Sequence, residues 1–195
     1  MAPRFPKKRL KILHRNEEAA SLSASPEGSI LPLKVFALVL VAIVVQTSVA
    51  PYLTVLGAKP DVALITVVCL AILRGPLWGA TVGFAAGLLI DIALFQTLGI
   101  SSFLFTLAGY FSGRYAEGVD PSSWFPPVFT VFVCTAVVQV LHAVIMFLLG
   151  IESSVGFILL RIVLPTAVLN ALLAAPIFVV SRWWLGGEKR GLFTE

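Results

Sequence analysis

The chain has 195 residues, 58% of them hydrophobic and only 12% charged, with a mean hydropathy of +0.99. A soluble globular domain carries roughly 25% charged residues, so this composition excludes a water-soluble fold and points to a polytopic membrane protein. A membrane barrel is excluded as well, because its strands of about ten residues alternate in polarity, and nothing in this sequence alternates.

Residues 1–29 read as a separate region. "PRFPKKRLKILHR" holds six Lys/Arg, and "NEEAASLSASPEG" is a polar linker. A disordered cytoplasmic tail is expected here, with a polybasic strip on anionic lipid as the functional alternative. It does not have the form of a signal peptide: the basic start is followed by polar residues, and the first apolar run is too long.

Six spanning helices are predicted within a membrane domain of residues 30–187, ahead of a short cytoplasmic tail over 188–195. They run about Leu31 to Tyr52, Asp61 to Arg74, Pro76 to Phe95, Ile100 to Glu117, Phe125 to Leu149, and Ser154 to Leu185. The expected class is therefore all-α, a polytopic membrane helical bundle. Pro76 suits a first helical position, where its missing N–H costs nothing. The second helix is short, so its ends must lie near protein or water rather than lipid. The sixth carries Pro165 and Pro176, each of which removes a backbone hydrogen bond and favours a kink or tilt.

Charge predicts orientation. The six Lys/Arg of the tail with Lys34, together with Arg74, Arg114, Arg182, Lys189 and Arg190, fall on segments of one parity, with only Lys59 and Arg161 elsewhere. The positive-inside rule then places both termini in the cytoplasm of an inner-membrane protein, with Trp124, Trp183 and Trp184 at the cytoplasmic interface. The net charge of +4 is thus mostly topology, and nucleic acid is not an expected partner.

In "WGATVGFAAGLLID", Gly79, Gly83 and Gly87 recur every fourth residue, and Asp91 continues the series. This spacing places all four on one helical stripe. In lipid, where helices associate through close packing, such a stripe is a groove for another helix. The occupant is either a helix of this chain or one of a second protein. Asp91 lies on the order of 6 Å below the outer boundary, and Arg161 on the order of 10 Å. An ionisable group in a span usually faces the protein and has a partner. Asp91 and Arg161 are expected to pair, or to share a polar cluster with Asp61. The alternatives are a solvated helix end for Asp91 and snorkelling to the headgroups for Arg161.

Gln46, Gln139, His142 and Asn170 are the other intramembrane polar groups. Gln139 and His142 share a face. Interhelical hydrogen bonds are the structural reading; a proton relay or substrate site is the functional one. Cys69 and Cys134 read as inert buried thiols. A metal site needs several converging His, Cys or carboxylate ligands, and His142 is the only histidine outside the tail. No nucleophile elbow or phosphate loop appears. An enzyme is not expected, nor is a cofactor.

Four features occur in a fixed order. "KPDVALITVVCLAILRGP" is followed by "GATVGFAAGLLID", then "LGISSFLFTLAGYFSGR", and finally "LPTAVLNALLAAP". In that order they resemble the bacterial rod shape-determining MreD family over about residues 33–185, most specifically between Pro60 and Arg114. The resemblance implies an architecture similar to the six-helix substrate-binding subunits of energy-coupling-factor transporters, and no catalytic activity. It also implies a scaffold role in the cell-elongation machinery, with MreC as the transmembrane partner and MreB, RodA and a class B penicillin-binding protein as further members. A vitamin-type transporter subunit using Asp61, Asp91, Glu152 and Arg161 is the alternative from another class. A lipid-handling protein using the basic tail is a second.

Overall fold

The computed structural model describes residues 26–48, 52, 59–118, 125–150 and 163–185. Among them are six α-helices and no strand: α1 (Pro26–Ser48), α2 (Val62–Arg74), α3 (Pro76–Ala93), α4 (Ile100–Glu117), α5 (Phe125–Leu148) and α6 (Leu164–Trp184). The chain divides within α1 into two units, Met1–Ala37 and Leu38–Glu195. The described part of the first unit is the opening half of α1, where Pro32 removes one backbone hydrogen bond from the second turn. The basic tail up to residue 25, Glu152, Arg161 and the C-terminal tail lie outside the described residues.

The second unit is organised around α2. Its sequence VALITVVCLAIL is apolar on every face, the pattern of a helix enclosed on all sides. Every residue from Ala63 to Ile72 is buried, and α3, α4, α5 and α6 all pack against it. At 13 residues it is about 20 Å long, well short of the roughly 30 Å hydrocarbon layer. Its ends are held by protein, as the short length requires.

Among the described residues, four helical stretches are long and apolar enough to cross a bilayer: Leu31–Ser48, Pro76–Ala93, Pro126–Leu148 and Leu164–Trp184. Length and composition thus carry four spans of the six expected from the sequence. The other two helices do not meet that measure. α2 is short because it is enclosed, and α4 carries Ser101, Ser102, Ser112 and its glycines on the face it buries. Apolar side chains cover the outside, among them Phe84, Phe103, Val137, Val168, Leu172 and Val179. The apolar helices fit a multi-pass membrane protein.

One residue, Gly75, links α2 to α3. It has φ +96° and ψ 177°, a region open essentially to glycine alone. Its N–H donates to Ala71 O at 2.8 Å, and its own carbonyl accepts from Gly79 N–H at 3.0 Å. Pro76 then opens α3 at the position foreseen for it.

The glycine stripe of α3 lies directly on the backbone of α4. A Cβ on Gly79 would collide with the carbonyl of Gly109, one on Gly83 with that of Phe105, and one on Gly87 with Ser101 and Ser102. Gly109 and Gly113 reciprocate, against Gly79 and Pro76 respectively. Each step of four down α3 meets a step of four up α4, the register of two antiparallel helices in backbone contact. The groove is filled from within the chain.

Even one methyl group is therefore too many at the centre of the stripe. Gly83→Ala should lower stability by about 1–3 kcal/mol, the cost of overpacking, read as a fall in melting temperature of the detergent-solubilised protein. Ala85→Leu, on the exposed side of the same helix, is the control and should change little. Equal melting temperatures for Gly83→Ala and the parent would show that the backbones are not in contact.

Candidate functional site

The first four N–H groups of a helix have no intrahelical acceptor. Where water is excluded, each must find one from the protein. At the start of α2 the acceptors come from three directions. Asp61 Oδ1 accepts from Leu64 N–H at 3.0 Å as the local N-cap. Gln46 Oε1, on α1, accepts from Val62 N–H at 2.7 Å. Asn170 Oδ1, on α6, accepts from Asp61 N–H at 2.9 Å.

The remaining amide groups of these two side chains extend the network. Gln46 Nε2 donates to Pro60 O at 3.2 Å. Asn170 Nδ2 donates to Thr135 Oγ1 on α5 at 3.2 Å. Asn170 and Thr135 are both wholly buried, so four helices are tied together through one helix terminus. Thr135 was not singled out in the sequence, because a threonine in an apolar helix ordinarily bonds back to its own preceding turn. Gln139 and His142 lie half-buried further along α5, and it is Thr135 that meets Asn170.

Asp91 holds a second terminus. The sequence suggests a helix running on to Phe95, but α3 ends at Ala93. Gln96 N–H donates to Asp91 O at 2.9 Å and Phe95 N–H to Ile92 O at 3.3 Å. These two bonds form a Schellman stop, with Phe95 at φ +52° in the place where glycine is usual. The side chain of Asp91 then reaches across the turn, and its Oδ2 accepts from Gly99 N–H at 2.7 Å. Gly99 is the N-cap of α4, at φ +95°. The carboxylate therefore sits at the positive end of the α4 dipole. It is buried, and its Oδ1 has no partner among the described residues.

Asp61 and Asp91 thus engage different backbones: Asp61 caps α2, and Asp91 caps α4. Each carboxylate accepts from orphan N–H groups at a helix start, and a polar cluster that includes Arg161 lies outside the described residues. The pairing of Asp91 with Arg161 lies outside the described residues.

At the opposite end of the unit, Arg74 Nη2 donates to the carbonyl of Leu185 at 3.2 Å, at the C-cap of α6. A cation is favoured there by the helix dipole. Gly113 lies against Gly75 and Pro76, which brings Arg114 to this same end. Arg114 pairs with Glu117 at 2.9 Å. Arg74, Arg114 and Arg182 therefore share one end of the unit, and Lys59 is at the other, as the charge parity of the sequence requires.

Among the described residues, no group of three or more His, Cys, Asp or Glu could hold a metal ion. What the arrangement does is mechanical: it closes helix ends at membrane depth and fixes the register of a helical hairpin. A family model described as rod shape-determining protein MreD matches residues 27–185. No curated protein and no solved structure matches the chain.

Substitutions at two positions separate the roles of these side chains. Asn170→Leu leaves the buried N–H of Asp61 unpaired and should cost about 1–3 kcal/mol, seen in the unfolding midpoint. Asp91→Asn keeps an acceptor for Gly99 N–H and should stay close to the parent, whereas Asp91→Ala should lose on the order of 1–2 kcal/mol of cap. Equal losses for Asn and Ala at position 91 would show that the charge, and not the hydrogen bond, is what matters there.

Proposed function

The chain belongs to the family of the rod shape-determining protein MreD, and from that premise we propose that it is a non-catalytic membrane scaffold of the bacterial cell-elongation machinery. In this reading it holds the transmembrane helix of MreC. Through MreC it helps couple cytoplasmic MreB filaments to peptidoglycan synthesis by RodA and a class B penicillin-binding protein. The family match, which extends from α1 to the end of α6, is the observation that carries the reading.

The geometry is consistent with a scaffold. Gln46, Asp61, Asp91 and Asn170 are spent on helix ends and on register, uses that stiffen a bundle. Because α4 fills the glycine stripe, the surface left for MreC is the lipid-facing one. The ladder serves the partner by making that surface rigid.

We further propose six spans in the cytoplasmic membrane, with both termini in the cytoplasm and an architecture of the energy-coupling-factor substrate-binding type. The common end shared by Arg74, Arg114 and Arg182 supports this, since positive charge stays on the cytoplasmic side. In this reading α2 is enclosed by its neighbours, and α4 crosses with Phe103, Phe111 and Tyr115 facing lipid.

Co-expression with MreC tests the scaffold. MreC should co-purify with the intact chain in stoichiometric amount, and loss of the chain should turn rods into spheres. Gly83→Leu should lose yield and melting temperature before it loses MreC, because its first effect falls on the α3–α4 contact. Failure of the stable parent protein to retain MreC would overturn the proposal. For topology, single cysteines at Glu117 and Glu188 should resist an impermeant thiol reagent in intact cells, while one at Glu152 should react.

A further inference from the structure

A half-open groove of about 220 Å³ runs between α4 and α5. Phe111, Tyr115, Phe129 and Val133 form its walls, and Ser112, Thr130 and Cys134 complete the lining. It lies toward the C-terminal end of α4, the end that carries Arg114. Its wall residues are themselves exposed, so the mouth opens sideways onto the surface that faces hydrocarbon.

The groove is apolar in effect as well as in lining. Ser112 Oγ donates inward to Gly109 O at 3.1 Å, and Thr130 Oγ1 donates inward to Pro126 O at 2.7 Å. Both hydroxyls are committed to their own helices. Water needs two to four polar partners to be held in a cavity, and this one supplies few. An apolar cavity of about 150 Å³ accommodates benzene, so this volume takes a longer stretch of alkyl chain. An α-helix, roughly 10 Å across, does not enter it.

Beside Tyr115 at the membrane-surface end stands Arg114. Its side chain is 60% exposed, and it pairs with Glu117 three residues on. An exposed pair of this kind contributes little and exchanges readily, which leaves the guanidinium available to a phosphate. We propose that this groove is a phospholipid site: one acyl chain lies between α4 and α5, and the phosphate of an anionic headgroup meets Arg114. The gain over bulk lipid comes from packing contacts along the chain and from the headgroup charge. The proposal requires only that the protein resides in a membrane, and it stands apart from the reading of MreC as partner.

Photolabelling of the full chain in phosphatidylethanolamine vesicles tests it. The vesicles carry a trace of phosphatidylglycerol or phosphatidylcholine with a diazirine at the middle of one chain, and labelled residues are mapped by mass spectrometry. Label should concentrate on Phe129, Val133 and Cys134 above the level at Phe84, an open position on α3. Phosphatidylglycerol should label about fivefold more than phosphatidylcholine, the enrichment that one arginine at a membrane surface supplies. Val133→Trp, which fills the mouth, should remove groove labelling while leaving Phe84 labelling and the melting temperature unchanged. Arg114→Gln should erase the headgroup preference and keep the chain labelled. Should Val133→Trp unfold the protein, alkylation of Cys134 with a lipid-soluble maleimide fills the same space in the native sequence, since Cys69 is fully buried. Groove labelling no higher than at Phe84, no difference between the two lipids, or no effect of filling the groove would each overturn the proposal. So would a protein partner that shields Phe129 from the label.

Discussion

The start of α2 is the constraint on which the rest of this protein depends. A helix that is apolar all round and about 20 Å long cannot reach both membrane surfaces, so its N-terminal N–H groups open inside the bundle. In hydrocarbon each unsatisfied group costs several kcal/mol. Gln46 from α1 and Asn170 from α6 meet those groups, with Asp61 as the local cap. Gln46 uses its second function on Pro60, just ahead of the same helix, and Asn170 uses its own on Thr135 of α5. Two amide side chains on distant helices therefore do for α2 what water does for an ordinary helix. The placement of Gln46 and of α6 at the start of α2 follows from this.

The α3–α4 hairpin solves a different problem. Lipid offers no hydrophobic drive for two helices to associate, so the gain must come from close approach. The glycines permit it, and backbone meets backbone along the whole stripe. Such a contact resists sliding poorly by itself, because one small residue resembles the next. Asp91 removes that freedom. Its carbonyl closes the end of α3, and its carboxylate caps the start of α4. A carboxylate belongs at the end of a glycine ladder because it fixes where the ladder stops.

Both devices consume polar groups in building the bundle. Gln46, Asp61, Asp91 and Asn170 are directed at helix ends, and Thr66, Thr81, Thr106 and Thr130 at their own preceding turns. What faces outward is apolar, and rigid beneath. A scaffold uses such a surface, and so does a lipid groove like the one between α4 and α5. Arg74, Arg114 and Arg182 gather at one end of the unit, the asymmetry by which a membrane protein is oriented.

Much of this was legible in the residues. Composition decided the solvent, because 12% charge cannot cover a soluble surface. Charge parity decided which helix ends go together, because Lys and Arg sort by side regardless of packing. The four-residue period announced a close helix contact, and the short second helix announced protein at its ends. Tertiary structure alone decided the partners. Gly79, Gly83 and Gly87 could have received any helix, since a stripe without side chains carries no address; α4 occupies it because a short turn, closed by Asp91, folds it back. The depth of Asp61 and Asp91 was readable from the sequence, but the helix start that each one caps was not, because direction is set by packing. Thr135 gave no signal, since its role exists only where Asn170 arrives from another helix. The sequence states which groups must be satisfied at membrane depth, and only the packing of distant helices determines what satisfies them.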